Sequence, residues 1–176
     1  MGIGNTTSSA AICHALYGGE SEDWVGPGTG IEGKELLNKI RIVKESVILH
    51  KAVLTDGLEI LRCLGGREMA AICGAIVAAR LSRIPVLLDG YVTCAAAATL
   101  HALNSNALDH CIVAHVSAEP GHRRLLKKLN KIPLFDFGMR LGEGSGAALA
   151  VGILRSAVAC HNGMATFKEA AITNKK

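Results

Sequence analysis

The feature that most constrains the fold is a change of period along the chain. Three short apolar runs stand out: Ile84-Pro85-Val86-Leu87-Leu88-Asp89-Gly90, Cys111-Ile112-Val113-Ala114-His115 and Ile132-Pro133-Leu134-Phe135-Asp136-Phe137-Gly138. Helical segments at 91–103 and 121–129 lie between them, and another at 144–161 follows. Short apolar strands alternating with helices predict βαβ units, hence a parallel sheet with right-handed crossovers. Upstream, Leu36, Leu37, Ile40, Val43 and Val47 fall at helical spacing within 33–52, and helices are also expected over 7–17 and 67–82. The expected fold class is α/β, a three-layer, open, Rossmann-like parallel sheet flanked by helices, in one domain over 1–176. Apolar residues make up 49% of the chain and aromatics only 3%, so Ala, Leu, Ile and Val must build the core. That composition suits strands buried on both faces.

Such a fold also predicts where function sits. In open α/β sheets, ligands bind beyond the carboxyl ends of the strands. Asp89-Gly90, the run from His115 to Gly121 and the run from Gly138 to Gly146 all fall there. Other classes are excluded. The net charge of +4 is mild and few rings are available for bases to stack on, so nucleic acid is not an expected partner. No apolar run reaches the ~18 residues of a membrane span, and the start does not read as a signal peptide. Met1-Gly2 with Thr6 only loosely resembles a myristoylation signal. Cysteines at 13, 63, 73, 94, 111 and 160 form no CxxC pair and read as buried, reduced thiols of a cytoplasmic protein.

Several runs carry chemistry, each with a plainer reading beside it. Gly2-Ile3-Gly4-Asn5-Thr6-Thr7 precedes a helix, which suits either an anion held by backbone amides or a helix cap alone. Gly26-Pro27-Gly28-Thr29-Gly30 repeats that logic before the 33–52 helix, yet matches neither a P-loop nor a dinucleotide fingerprint. Lys34 and Lys39 follow on that helix, each facing either a bound phosphate or solvent. Asp89 is a site carboxylate or the cap of the next helix. His115-Val116-Ser117-Ala118-Glu119-Pro120-Gly121-His122 fits no standard zinc spacing, and Gly142-Glu143-Gly144-Ser145-Gly146 has the wrong register for a serine nucleophile elbow. Glu143 reads as a general base tuned between the helix dipole and burial, or as an acid favoured by the dipole alone.

Together these segments resemble the C-terminal half of the nicotinate-nucleotide–dimethylbenzimidazole phosphoribosyltransferase family. The motifs that carry the resemblance are Met1-Gly2-Ile3-Gly4-Asn5-Thr6-Thr7, Gly26-Pro27-Gly28-Thr29-Gly30, Val86-Leu87-Leu88-Asp89-Gly90, the run from His115 to His122 and the run Met139-Arg140-Leu141-Gly142-Glu143-Gly144-Ser145-Gly146-Ala147. They stand in the family's order and extend through Met164-Ala165-Thr166-Phe167. The resemblance implies transfer of a 5-phosphoribosyl group from nicotinate mononucleotide to a benzimidazole base, giving an α-ribazole phosphate and nicotinate in cobalamin lower-ligand synthesis. It implies that Glu143 is the general base and that Gly2, Ile3, Gly4, Asn5, Thr6, Gly28, Thr29 and Gly30 cradle phosphate and ribose. Lys39, Asp89, Ser117, Leu141 and Gly142 would line the donor pocket, with no metal and no cofactor. Family members are about twice as long, so the resemblance also implies a truncated fold. By that resemblance, the missing part would be an N-terminal half that supplies most of the benzimidazole pocket. The implied partner is that half, or a second copy in a dimer.

Overall fold

The computed structural model describes residues 2–173. Met1, which opens the first glycine motif, lies outside them. The elements run α1 (Asn5–Tyr17), a 3-10 turn (Ser21–Asp23), α2 (Gly33–His50), α3 (Gly57–Leu64), α4 (Arg67–Leu81), β1 (Val86–Leu88), α5 (Tyr91–Leu103), β2 (Cys111–Val113), α6 (Pro120–Lys128) and α7 (Ser145–Gly163). Every expected helix is present, within a few residues of its expected ends.

β1 and β2 pair in parallel, with Val86 opposite Cys111 and Leu88 opposite Val113. The third expected strand, 132–138, contracts to one parallel bridge between His115 and Phe135. Its pairing is held by Leu134 N–H on the Val113 carbonyl and Val116 N–H on the Phe135 carbonyl. The physical reason lies in its flanks. Pro133 has no N–H for a ladder, and Gly138 turns the chain away at φ 66°.

The period of 2 sorts the strand residues between two layers. Leu88 and Val113 join the main core with α1 to α6, while Leu87 and Ala114 face α7 through Ala147 and Ala150. The centre of the main core is α5, whose residues Cys94 to Ala98 are fully buried. Alanines there let α1, α3, α4 and α6 pack closely around it. The three-layer α/β arrangement is therefore present in small form.

Two departures have clear causes. The spacing leaves 53–66 unassigned, yet α3 forms there because Asp56 accepts the N–H groups of Leu58 and Glu59. Its first residue, Gly57, lies so close to α5 that a Cβ would overlap the Thr99 carbonyl. Helix propensity alone would favour Gly57→Ala by up to ~1 kcal/mol. Overpacking against backbone outweighs that, and the substitution should destabilise the fold by about 2 kcal/mol. Urea unfolding measures it, and an unchanged or raised midpoint would count against the contact.

The cysteines form the second departure. Cys13, Cys73, Cys94 and Cys111 are buried free thiols, but Cys63 is half-buried and Cys160 is exposed on α7. Burial pushes the Cys13 thiol up to about 12. α7 itself buries only Gly146 and Ala150 among the described residues. No helix among the described residues is long and apolar enough to cross a membrane.

Candidate functional site

The loops that follow β1, β2 and the 134–135 bridge do converge, and the two glycine loops meet them. Gly4 is left-handed at φ 84° and sits at the N-cap of α1. Asn5 N–H bonds the Gly2 carbonyl, and Thr6 presents Oγ1 to the Lys39 ammonium at 2.8 Å. Lys39 also donates to the Gly26 carbonyl at 2.8 Å. It is only 6% exposed, whereas Lys34 is exposed, so the helix turns Lys39 alone into the site. Burial lowers the Lys39 pKa and the charge of Glu119 opposes that shift. Gly28 is left-handed at φ 57°, and a Cβ there would stand 2.9 Å from Thr6 Oγ1. The Gly26–Gly30 turn closes through Gly30 N–H on the Pro27 carbonyl.

The segment after β2 ties these loops to the sheet. Ser117 N–H donates to His122 Nδ1 at 2.9 Å, and Ser117 Oγ accepts the Glu119 N–H. Glu119 Oε1 in turn accepts the Gly28 N–H at 2.9 Å. Arg140 donates to the Gly28 carbonyl at 3.1 Å, and Ala118 N–H bonds the Met139 carbonyl. One hydrogen-bonded series thus joins α1, the Gly26–Gly30 turn, the 115–122 segment and the loop that carries Glu143.

Asp89 takes a role that neither sequence reading named. Its Oδ1 accepts the Ala147 N–H at 2.8 Å, so it caps α7 rather than the helix that follows it. Its neighbour His115 lies 3.8 Å away through Nε2, with Nδ1 bonded to the Val116 carbonyl. The His115 ring fills the space where Gly146 lacks a Cβ. These contacts seat the first turn of α7, and with it Glu143.

Glu143 occupies the middle of a left-handed run, with φ of 75° at Gly142, 57° at Glu143 and 77° at Gly144. A non-glycine residue there is strained by about 1 kcal/mol, and such strain gathers at functional sites. The burial expected around Glu143 is absent, because its side chain is exposed in this chain. Ile3 and Leu141 are also solvent-facing, at 96% and 78% exposure. Thr29 lies in the Gly26–Gly30 turn, and Gly30 closes it at φ 120°.

Four residues emerge that the sequence reading did not assign to the site: His115, Glu119, His122 and Arg140. Their signal was their place in two polar runs at strand ends, where burial could not be read. Among the described residues, no group of three or more His, Cys, Asp or Glu side chains is gathered closely enough to hold a metal ion.

Comparison with known proteins decides the ancestry. A family model described as phosphoribosyltransferase matches residues 1–172. Proteins called nicotinate-nucleotide–dimethylbenzimidazole phosphoribosyltransferase from Methylocella silvestris and Rhizobium leguminosarum are 62% and 64% identical over 99% of this chain. The chain belongs to that family. In three dimensions it is similar to CobT from Thermus thermophilus, with a TM-score of 0.91 at 38% identity over 99% of this chain. It spans about half the length of these family members: 51% and 52% of the two relatives and 52% of the solved chain. The small sheet is therefore a truncated version of the family fold.

Proposed function

We propose that this chain is the donor-binding and base-carrying half of a phosphoribosyltransferase acting on nicotinate mononucleotide and 5,6-dimethylbenzimidazole or a related base. The observation that carries the reading is the convergence of two glycine turns on the buried ammonium of Lys39, beside the strained loop of Glu143. Backbone amides at the start of α1, Thr6 and Lys39 suit a 5′-phosphate. Gly28 to Gly30 and Ser117 suit the ribose. The chemistry then balances without a further co-reactant. A benzimidazole nitrogen bonds to the ribose C1′, and the departing nicotinate keeps the electron pair of the old glycosidic bond, which neutralises its pyridinium nitrogen. The proton of the benzimidazole N–H passes to the Glu143 carboxylate. Positive charge grows on the ribose during transfer, so an anionic carboxylate nearby also stabilises the transition state. Holding donor and acceptor in line supplies much of the rest.

The exposure of Glu143 favours a corollary. An acceptor pocket needs walls that exclude water, and a further polypeptide equivalent to the rest of the family length would supply them. The working unit is then this chain with that partner, or with a second copy, in the cytoplasm. A second reading, a nucleotide-binding half without turnover, is favoured by the same half-length coverage.

Calorimetry with nicotinate mononucleotide tests the donor site, and we expect saturable 1:1 binding to the chain alone. No binding would sink the donor-site reading. Adding dimethylbenzimidazole and a separately expressed N-terminal half of a relative should then yield α-ribazole phosphate. Binding without any product would select the second reading.

A further inference from the structure

Glu119 is the N-cap residue of α6 and is only 8% exposed. Its Oε1 holds the Gly28 N–H, while its Oε2 is buried and meets no donor among the described residues. A Cβ on Gly26 would overlap that same Oε2, so the Gly26–Gly28 turn lies directly on the carboxylate. The same turn is also held by Lys39, whose Nζ donates to the Gly26 carbonyl and to Thr6 Oγ1. The turn is thus held by both charges, with the ammonium on a C=O and the carboxylate on an N–H. Each charge meets the end of the peptide group that it suits.

An enclosed carboxylate beside an anion cradle is unexpected on charge alone, since it repels the ligand. We propose that Glu119 is the positioning residue of this cradle: its carboxylate holds the Gly26–Gly28 turn and serves as the buried counter-charge of Lys39, so anion binding depends on an acid that does not touch the anion. The inference rests on the donor-site reading above and assigns a role to a residue which that reading leaves idle. Burial disfavours the charged form of Lys39, and Glu119 is the charge that offsets this.

Arg140 reaches the Gly28 carbonyl from the 139–144 loop. Asp23, on the 3-10 turn packed against α2, is engaged by Arg124. Glu35 lies one turn earlier on α2 itself and is exposed. Tyr91 on α5 and Cys13 on α1 are pushed up by burial and stay neutral. His122 is pushed down to about 3 and stays neutral above pH 5, and His115 faces Asp89.

The test uses the full chain as wild type, Glu119→Gln, Glu119→Ala and Lys39→Met. Gln keeps an oxygen for the Gly28 N–H and removes only the charge. Two readouts are followed across the whole titration of Lys39, up to its ordinary value of 10.5: the NMR titration of the Lys39 ammonium, and calorimetry with nicotinate mononucleotide. Glu119→Gln should lower the Lys39 midpoint by about one unit, weaken binding up to about tenfold above that midpoint, and keep binding within about threefold well below it. Lys39→Met should remove binding across the range. Simple like-charge repulsion predicts the reverse, with Glu119→Gln binding more tightly at every pH. An unshifted Lys39 midpoint in Glu119→Gln, or equal or tighter binding above the wild-type Lys39 midpoint, overturns the proposal. If the wild type binds no nucleotide, the donor-site reading fails by itself. The Lys39 midpoint in Glu119→Gln and Glu119→Ala then still decides the counter-charge.

Discussion

Glu143→Gln should lower turnover at least ~100-fold in any assembly of this chain that makes α-ribazole phosphate, the scale of a lost general base. Gln keeps the shape and hydrogen-bonding reach of the side chain but cannot take the benzimidazole proton. The backbone supplies a second, opposite-signed consequence. Glu143 sits at φ 57° between two left-handed glycines. Glu143→Gly should therefore lose turnover as Gln does, while fold stability stays level or rises by up to ~1 kcal/mol as the strain is relieved. Turnover is read from product formation and stability from urea unfolding of the same preparations. A Glu143→Gln variant with near-normal turnover would remove Glu143 from its role. Strong destabilisation of Glu143→Gly would mean that the left-handed run is not strained.

The second large effect is on stability in acid. His122 is fully buried, its Nδ1 accepts the Ser117 N–H, and its Nε2 has no partner among the described residues. Burial, then the nearby His115 and Arg123, hold its pKa down at about 3 against an ordinary 6.5. The sign follows from proton counting. Below pH 6.5 the unfolded chain takes up a proton that the native chain refuses, so stability is full above 6.5 and falls as pH drops toward 3. By pH 4.5 this one group should have removed roughly 2–3 kcal/mol. Asp136, held low by its bond from Arg123, acts in the same direction, but it is exposed and adds little. Urea unfolding at pH 7.5 and pH 4.5 measures the loss. His122→Asn retains an acceptor for Ser117 N–H and should shrink the difference between the two pH values by about 2 kcal/mol. An equal loss in wild type and variant would place the acid sensitivity elsewhere.

Legibility from sequence divides along physical lines. α2 is readable because apolar residues at helical spacing are a local signal. The third strand is overread, since the apolar run Ile132 to Gly138 looks like a strand whether or not its N–H groups find partners. α3 escapes notice because eight residues are too short for periodicity to stand out, and its strongest mark, Asp56, is one capping residue. At the site, Thr6, Gly28 and Lys39 stand beside one another. Pattern alone does not separate Lys39 from Lys34, because only packing says which side of a helix is covered. Asp89 reads as a cap or a ligand for its own neighbourhood, but it caps a helix 58 residues later. Glu119 and His122 stay unassigned because their importance lies in being enclosed, and enclosure is a property of the assembled chain.

The hydrogen-bonded series through the site also dictates when that site can exist during folding. Its links join residues far apart in sequence: Thr6 to Lys39 spans 33 residues, Gly28 to Glu119 spans 91 and Gly28 to Arg140 spans 112. Closing such long loops is entropically expensive and comes late, after local helices and the β1–β2 pairing have shortened the search. On a ribosome the Gly26–Gly28 turn emerges before Glu119 and Arg140 and must wait for them before it acquires its final shape. Ligand capture at this turn would then be an end-point signal of completed folding, and partly folded chains would remain blind to the nucleotide even with most of their helices in place.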